Sequence, residues 1–181
     1  TKEYYIYRSV NNGLYKIVDT VKHTGKGMTL FSYDNTANTT MNTNAYKVVA
    51  VDTCGNISSY SSVHTPVLLT GTAGNLVCNL KWKNYSGYTI DTQIVQKLIG
   101  GSWNNLSFTK ITDTTYSDKL VSCNVTYYYR ILSKESGGNG QFSYSDTIKV
   151  TPFDTIKPKQ VNLISASVAS GTSIDVTFDK V

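Results

Sequence analysis

Tyr127-Tyr128-Tyr129-Arg130-Ile131-Leu132-Ser133 decides how this chain is read. Tyr127, Tyr129, Ile131 and Ser133 fall on one side of an extended strand, and Tyr128, Arg130 and Leu132 on the other. After it, Gly137-Gly138-Asn139-Gly140 reads as a hairpin loop and Ser143 to Val150 as a returning strand. Before it, Leu76, Cys78, Leu80 and Trp82 alternate with Val77, Asn79 and Lys81 in the same way. Asn84 to Gly87 reads as a turn and Thr89 to Leu98 as a strand ended by Gly100-Gly101. Trp103 and Leu106 follow, then a strand across Phe108 to Ile111, then a short strand and turn at Thr115 to Asp118. Short strands at this spacing over residues 65–153 predict a β-sandwich.

Composition agrees. The 181 residues are 40% hydrophobic, enough for packed cores, and only 16% charged. Fourteen Tyr, with many Val, Ile and Thr, favour strands, and the chain reads as all-β. The net charge is +5, but Lys22, His23 and Lys26 form its one local basic cluster, so the excess reads as a solvated surface and not as a nucleic-acid interface. No apolar run is long enough for a transmembrane helix, and no membrane insertion is expected.

Part of the chain is written twice. Leu14-Tyr15-Lys16-Ile17-Val18-Asp19-Thr20 recurs as Phe108-Thr109-Lys110-Ile111-Thr112-Asp113-Thr114, and Ser59-Tyr60-Ser61 recurs as Ser143-Tyr144-Ser145. Repeats point to an array of similar units, which is usually a scaffold or a binding surface.

The order of motifs resembles a fibronectin type III domain. By that resemblance Trp82 is the core Trp of the second strand, B. Tyr127 opens the sixth strand, F, with its ring inward and its hydroxyl on the backbone of the preceding corner. In the same register Tyr4-Tyr5-Ile6-Tyr7-Arg8 is the third strand, C, of an earlier unit, with Tyr46, Val48 and Ala50 in its strand F. Asn44 stands where Tyr127 would, and the loop around Val21 to Phe31 is longer than its counterpart. Ile174, Val176 and Phe178 match Cys78, Leu80 and Trp82. The expected division is residues 1–64, strands C to G of one unit; residues 65–153, a complete unit; and residues 154–181, strands A and B of a third. The two end pieces together are about as long as the middle unit. Either one chain's A–B hairpin completes another's C–G half head to tail, an open-ended contact, or both ends stay partly disordered.

Ala50-Val51-Asp52-Thr53-Cys54-Gly55-Asn56-Ile57-Ser58, with His64-Thr65 beyond it, resembles the tandem fibronectin-like repeats of large Bacteroidetes surface proteins, the gliding-motility-associated and type IX-secreted kind. The resemblance implies an exported, cell-surface or secreted parent. Asp19-Thr20-Val21, Asp113-Thr114-Thr115, Asp146-Thr147-Ile148 and Asp154-Thr155-Ile156 resemble that phylum's O-glycosylation motif. An exported location permits disulfides. In the sandwich register Cys78, early in strand B, and Cys123, at the start of strand F, share a pole. They are expected either to bridge, adding about 3–4 kcal/mol, or to remain buried free thiols. Cys54 has no evident partner.

Little in the sequence carries chemistry. His23 and His64 lie in a loop and a linker, without a nucleophile elbow or an orienting acid. Asp and Glu fall mostly in turns, as at Asp34, Asp118 and Asp146, and no metal, cofactor or phosphate motif stands out. No enzyme activity is expected. The expected role is an extracellular structural spacer or adhesion segment whose partners are neighbouring repeats. Its structural residues are Leu80, Trp82, Tyr127, Tyr129 and Ile131, with linkers stiffened by proline. The alternative is an accessory carbohydrate-binding module that contacts polysaccharide through Tyr85, Tyr88 and Tyr128.

Overall fold

The computed structural model describes residues 1–25, 27, 29–137 and 140–180. Lys26 of the basic cluster and Met28 of the long loop lie outside the described residues, as do Gly138 and Asn139 at the predicted hairpin tip. The described residues form thirteen strands and no helix: β1 Glu3–Val10, β2 Lys16–Lys22, β3 Asn44–Val51, β4 Leu68–Gly74, β5 Val77–Lys83, β6 Ile90–Ile99, β7 Ser102–Thr109, β8 Thr115–Asp118, β9 Tyr127–Glu135, β10 Phe142–Tyr144, β11 Ile148–Val150, β12 Leu163–Ser170 and β13 Ser173–Phe178.

The middle of the chain makes two sheets. One has the order β4-β5-β8; the other runs β10-β9-β6-β7, with β11 also on β9. This is the A-B-E and C′-C-F-G arrangement of a fibronectin III-like sandwich, with the last strand split into β10 and β11. Leu69, Cys78, Leu80 and Trp82 from the first sheet meet Val95, Tyr129 and Ile131 from the second, and all seven are buried. The Trp82 indole N–H donates to Gln93 Oε1 at 3.3 Å, and Gln93 in turn donates to Asn84 Oδ1 at 2.9 Å, so both buried polar groups are satisfied. Tyr127 packs against this core, and its hydroxyl accepts the Ser122 N–H at 2.9 Å, tying strand β9 to the corner before it.

Two sequence expectations need correction. The strand placed at Phe108 to Ile111 begins at Ser102, because Gly100 and Gly101, both at positive φ, make a two-residue hairpin directly after β6. Lys110 to Asp113 is therefore a turn, closed by the Asp113 N–H to Lys110 O bond at 2.9 Å. The repeated seven-residue stretch is consequently out of register. Its first copy enters strand β2, while its second leaves strand β7.

The bridge between Cys78 and Cys123 is not formed, and all three cysteines are free. Cys78 is fully buried, and burial raises its thiol pKa. Cys123 is exposed on a turn that Asn124 takes at φ 58°, held by the Asn124 N–H to Pro152 O bond. One thiol points into the core and the other sits on the surface.

The first 64 residues form a sheet of order β2-β1-β3, and the end of the chain forms the β12-β13 hairpin. Tyr4, Ile6, Val21 and Val48 line an open cleft of about 440 Å³ with Leu30 and Phe31. In the hairpin Val168 pairs with Ile174 and Ala166 with Val176, as Ala73 pairs with Cys78 and Gly71 with Leu80. Ile174, Val176 and Phe178 are more than half exposed there.

Candidate functional site

Backbone register aligns the first sheet with the second half of the sandwich. β1–β2 and β6–β7 each carry a bulge, between Ile6 and Tyr7 and between Val95 and Gln96. Matching the bulges sets Arg8 on Lys97, Tyr15 on Trp103 and, across β3 and β9, Tyr46 on Tyr129 and Lys47 on Arg130. Ser61 and Ser145 confirm it. The Ser61 hydroxyl accepts the Val48 N–H at 2.9 Å, and the Ser145 hydroxyl accepts the Ile131 N–H at 2.8 Å.

Two polar constellations repeat in that register. The inward one joins a cation, a carboxylate and a tyrosine. Lys97 Nζ lies 2.7 Å from Asp118 Oδ2, which also accepts from the Tyr129 hydroxyl at 2.9 Å, while Asp118 Oδ1 accepts the Leu120 N–H at 2.9 Å. Arg8 lies 2.7 Å from Asp34 Oδ2, which accepts from the Tyr46 hydroxyl at 3.0 Å, while Asp34 Oδ1 accepts the Thr36 N–H at 2.9 Å. Burial acts to raise the Asp34 carboxyl, but the Thr36 and Tyr46 hydrogen bonds and the Arg8 charge outweigh it and hold the pKa below its ordinary value. Burial, then the hydrogen bonds with Cys78 and Asp118, push the Tyr129 hydroxyl far up.

The outward constellation is a cation held between rings. The Arg130 guanidinium carbon lies 4.2 Å from the Trp103 ring centre and 4.0 Å from that of Tyr144. Its Nε–H donates to Gln96 Oε1 at 2.8 Å, and Gln96 is braced by a 2.8 Å bond to Asn105. On the first sheet Lys47 Nζ lies 3.4 Å from the Tyr60 ring centre and 4.1 Å from that of Tyr15. Period-two patterning does not mark these clamps. Two signals are legible, a cation directly after a strand-F tyrosine and the Ser-Tyr-Ser repeat, and only the pairing of distant strands joins them.

The proposed glycan tyrosines separate. Tyr85 and Tyr88 are half-buried and stack on each other with ring centres 4.3 Å apart, and the Tyr85 hydroxyl is hydrogen-bonded to His64. Burial, then Tyr88, raise the Tyr85 pKa to about 12. Tyr128 is 41% exposed on the outward face. His23 meets the Tyr4 hydroxyl at 3.4 Å. Thr20, Thr147 and Thr155 of the Asp-Thr motifs are exposed, and Thr114 is half-buried. Among the described residues no group of three or more His, Cys, Asp or Glu is placed to hold a metal, and no helix is long and apolar enough to cross a membrane.

Asp52 to Asn56 fold as a self-contained turn. The Asp52 carboxylate accepts the Cys54 and Asn56 N–H groups at 2.9 and 2.8 Å, and Gly55 takes φ 87°. These bonds, the Asn56 side chain's first, lower the Asp52 pKa. The Asp-Thr-Cys-Gly-Asn run is thus explained by turn geometry.

No protein-family model and no curated protein matches the chain. Among solved structures, the FN1–FN3 domains of chicken CNTN1 are similar at 19% identity and TM-score 0.39, covering 99% of this chain and 67% of theirs. The central fibronectin-III array of RIM-binding protein is similar at 13% identity and TM-score 0.37, covering 98% of this chain and 67% of its own. At those values the assignment rests on strand order and register. By that measure the fold is all-β and fibronectin III-like.

Proposed function

We propose that this chain is a stiff spacer or adhesion segment of tandem fibronectin III-like units, divided at residues 64/65 and 153/154, in an exported bacterial surface protein. It presents other parts of its parent at a fixed distance and performs no catalysis. One observation carries the reading: the junction has no free residue. His64 exchanges backbone hydrogen bonds with Tyr46 at 2.8 and 2.9 Å, and the next residue, Thr65, exchanges them with Ser86 at 2.7 and 3.0 Å. The Tyr85 and Tyr88 rings close on His64, Ser62 bonds its far nitrogen at 3.0 Å, and Thr39 reaches Asp146 at 2.6 Å. A chain pinned on both sides of one peptide bond has little freedom to bend. The second junction differs, since residues 157–161 form neither strand nor bridge.

Gly87 supports the same joint. It takes φ 151°, and a Cβ there would collide with the His64 imidazole. The exported location rests on the resemblance of residues 50–58 with His64-Thr65 beyond them. We further propose that copies of this chain associate head to tail, the exposed hairpin of one covering the open cleft of the next.

The exposed Cys54 and Cys123 accept spin labels, while Cys78 is buried. The distance distribution between them is expected to be narrow in the native chain. It should broaden severalfold when two glycines are inserted between His64 and Thr65. A broad native distribution would rule out the stiff-spacer reading.

A further inference from the structure

The outward clamps do more than a buried ladder requires. Arg130 and Lys47 are each half-buried, wedged between rings and partly stripped of water. Neither has a carboxylate partner among the described residues, whose ion pairs are Lys2–Glu3, Arg8–Asp34 and Lys97–Asp118. Arg130 uses only its Nε–H on Gln96, so the terminal fork has no described partner. The guanidinium is oriented before any ligand arrives, which lowers the entropy lost on binding. The outward register of β9, β10 and β11 adds Lys134 and Lys149 and contains no Asp or Glu. Phe142 lies beside Tyr144 with ring centres 5.5 Å apart and is 59% exposed.

We propose that this face binds a carboxylated polysaccharide, a chain of uronic acids. A carboxylate takes the Arg130 fork in charge-assisted hydrogen bonds, and a neighbouring sugar lies against the exposed Phe142 ring. The charge on the face and its aromatic area together select an acidic sugar over a neutral one. The Lys47 clamp, in the same register of the neighbouring unit, makes a second site, and two linked sites favour a polymer. This goes beyond the spacer reading and does not depend on it.

The test is calorimetric titration of the full chain with oligogalacturonate, its methyl ester, and polyglutamate of matched charge. Oligogalacturonate is expected to bind saturably, and the methyl ester about tenfold or more weaker, the loss of one charge-assisted contact. Arg130→Gln should weaken the acid form about tenfold, and Arg130→Lys should fall between, because it keeps the charge and loses the fork. Lys47→Gln should weaken long polygalacturonate but not the short oligomer. No binding, equal binding of acid and ester, or unchanged binding by Arg130→Gln would overturn the proposal. Polyglutamate binding as tightly as oligogalacturonate would overturn the carbohydrate assignment. The comparison of acid with ester needs no variant, so a folding defect in Arg130→Gln leaves the test intact.

Discussion

Lys97 and Asp118 are ionisable side chains inside the sandwich, only 6% and 3% exposed. Attraction between them offsets desolvation only while both are present with their hydrogen bonds. Asp118→Ala leaves the ammonium, the Tyr129 hydroxyl and the Leu120 N–H without their shared acceptor, and should cost about 3 kcal/mol or more in urea denaturation. Lys97→Met combined with Asp118→Leu should recover most of that loss. A second residue-scale effect is alkaline. Tyr85 and Tyr129 both have folded pKa values above the ordinary 10. The fold favours their neutral forms, so their contribution is full below pH 10 and is lost as pH rises towards the folded values. The urea midpoint should therefore fall between about pH 10 and pH 12, and Tyr85→Phe should flatten the earlier part of that fall. A flat native profile would contradict it.

At the scale of the element, β10 and β11 are one strand interrupted at Ser145, whose side chain does the work of a missing ladder bond. The Ile131 N–H that it accepts is buried, whereas the equivalent bond from Val48 to Ser61 is exposed. Ser145→Ala should cost about 1–3 kcal/mol, the desolvation of an unpaired buried donor. Ser61→Ala should cost distinctly less, because water replaces its hydroxyl. Chemical denaturation of the two variants checks the order. The alternation in β5 and β9 was legible because each strand has one face in the core, so Cys78, Leu80, Trp82, Tyr129 and Ile131 fall at period two. The start of β7 was not legible, because Ser102 to Asn105 carries little apolar signal and its place is set by the Gly100-Gly101 turn.

At the scale of the whole molecule, the open cleft of the first sheet and the bare apolar face of the β12-β13 hairpin are complementary kinds of surface. Light scattering over a wide concentration range should show molar mass rising through dimers to longer species, since a head-to-tail contact does not close. Val176→Asp, on the hairpin's apolar side, should return the chain to a monomer. A constant monomer in the native chain would exclude the exchange.

By itself the sequence determined the fold class and the place of the sandwich core. Both follow from local period-two patterning and turn residues, which act over a few positions. Tertiary structure alone decided the rest. The Arg130 and Lys47 clamps, the two inward carboxylate triads and the doubly pinned His64-Thr65 joint each bring together residues far apart in the chain. Another pair far apart in the chain, Cys78 and Cys123, was left unjoined. Which distant side chains meet is set by strand pairing and bulges, and those are fixed only when whole sheets close on a common core.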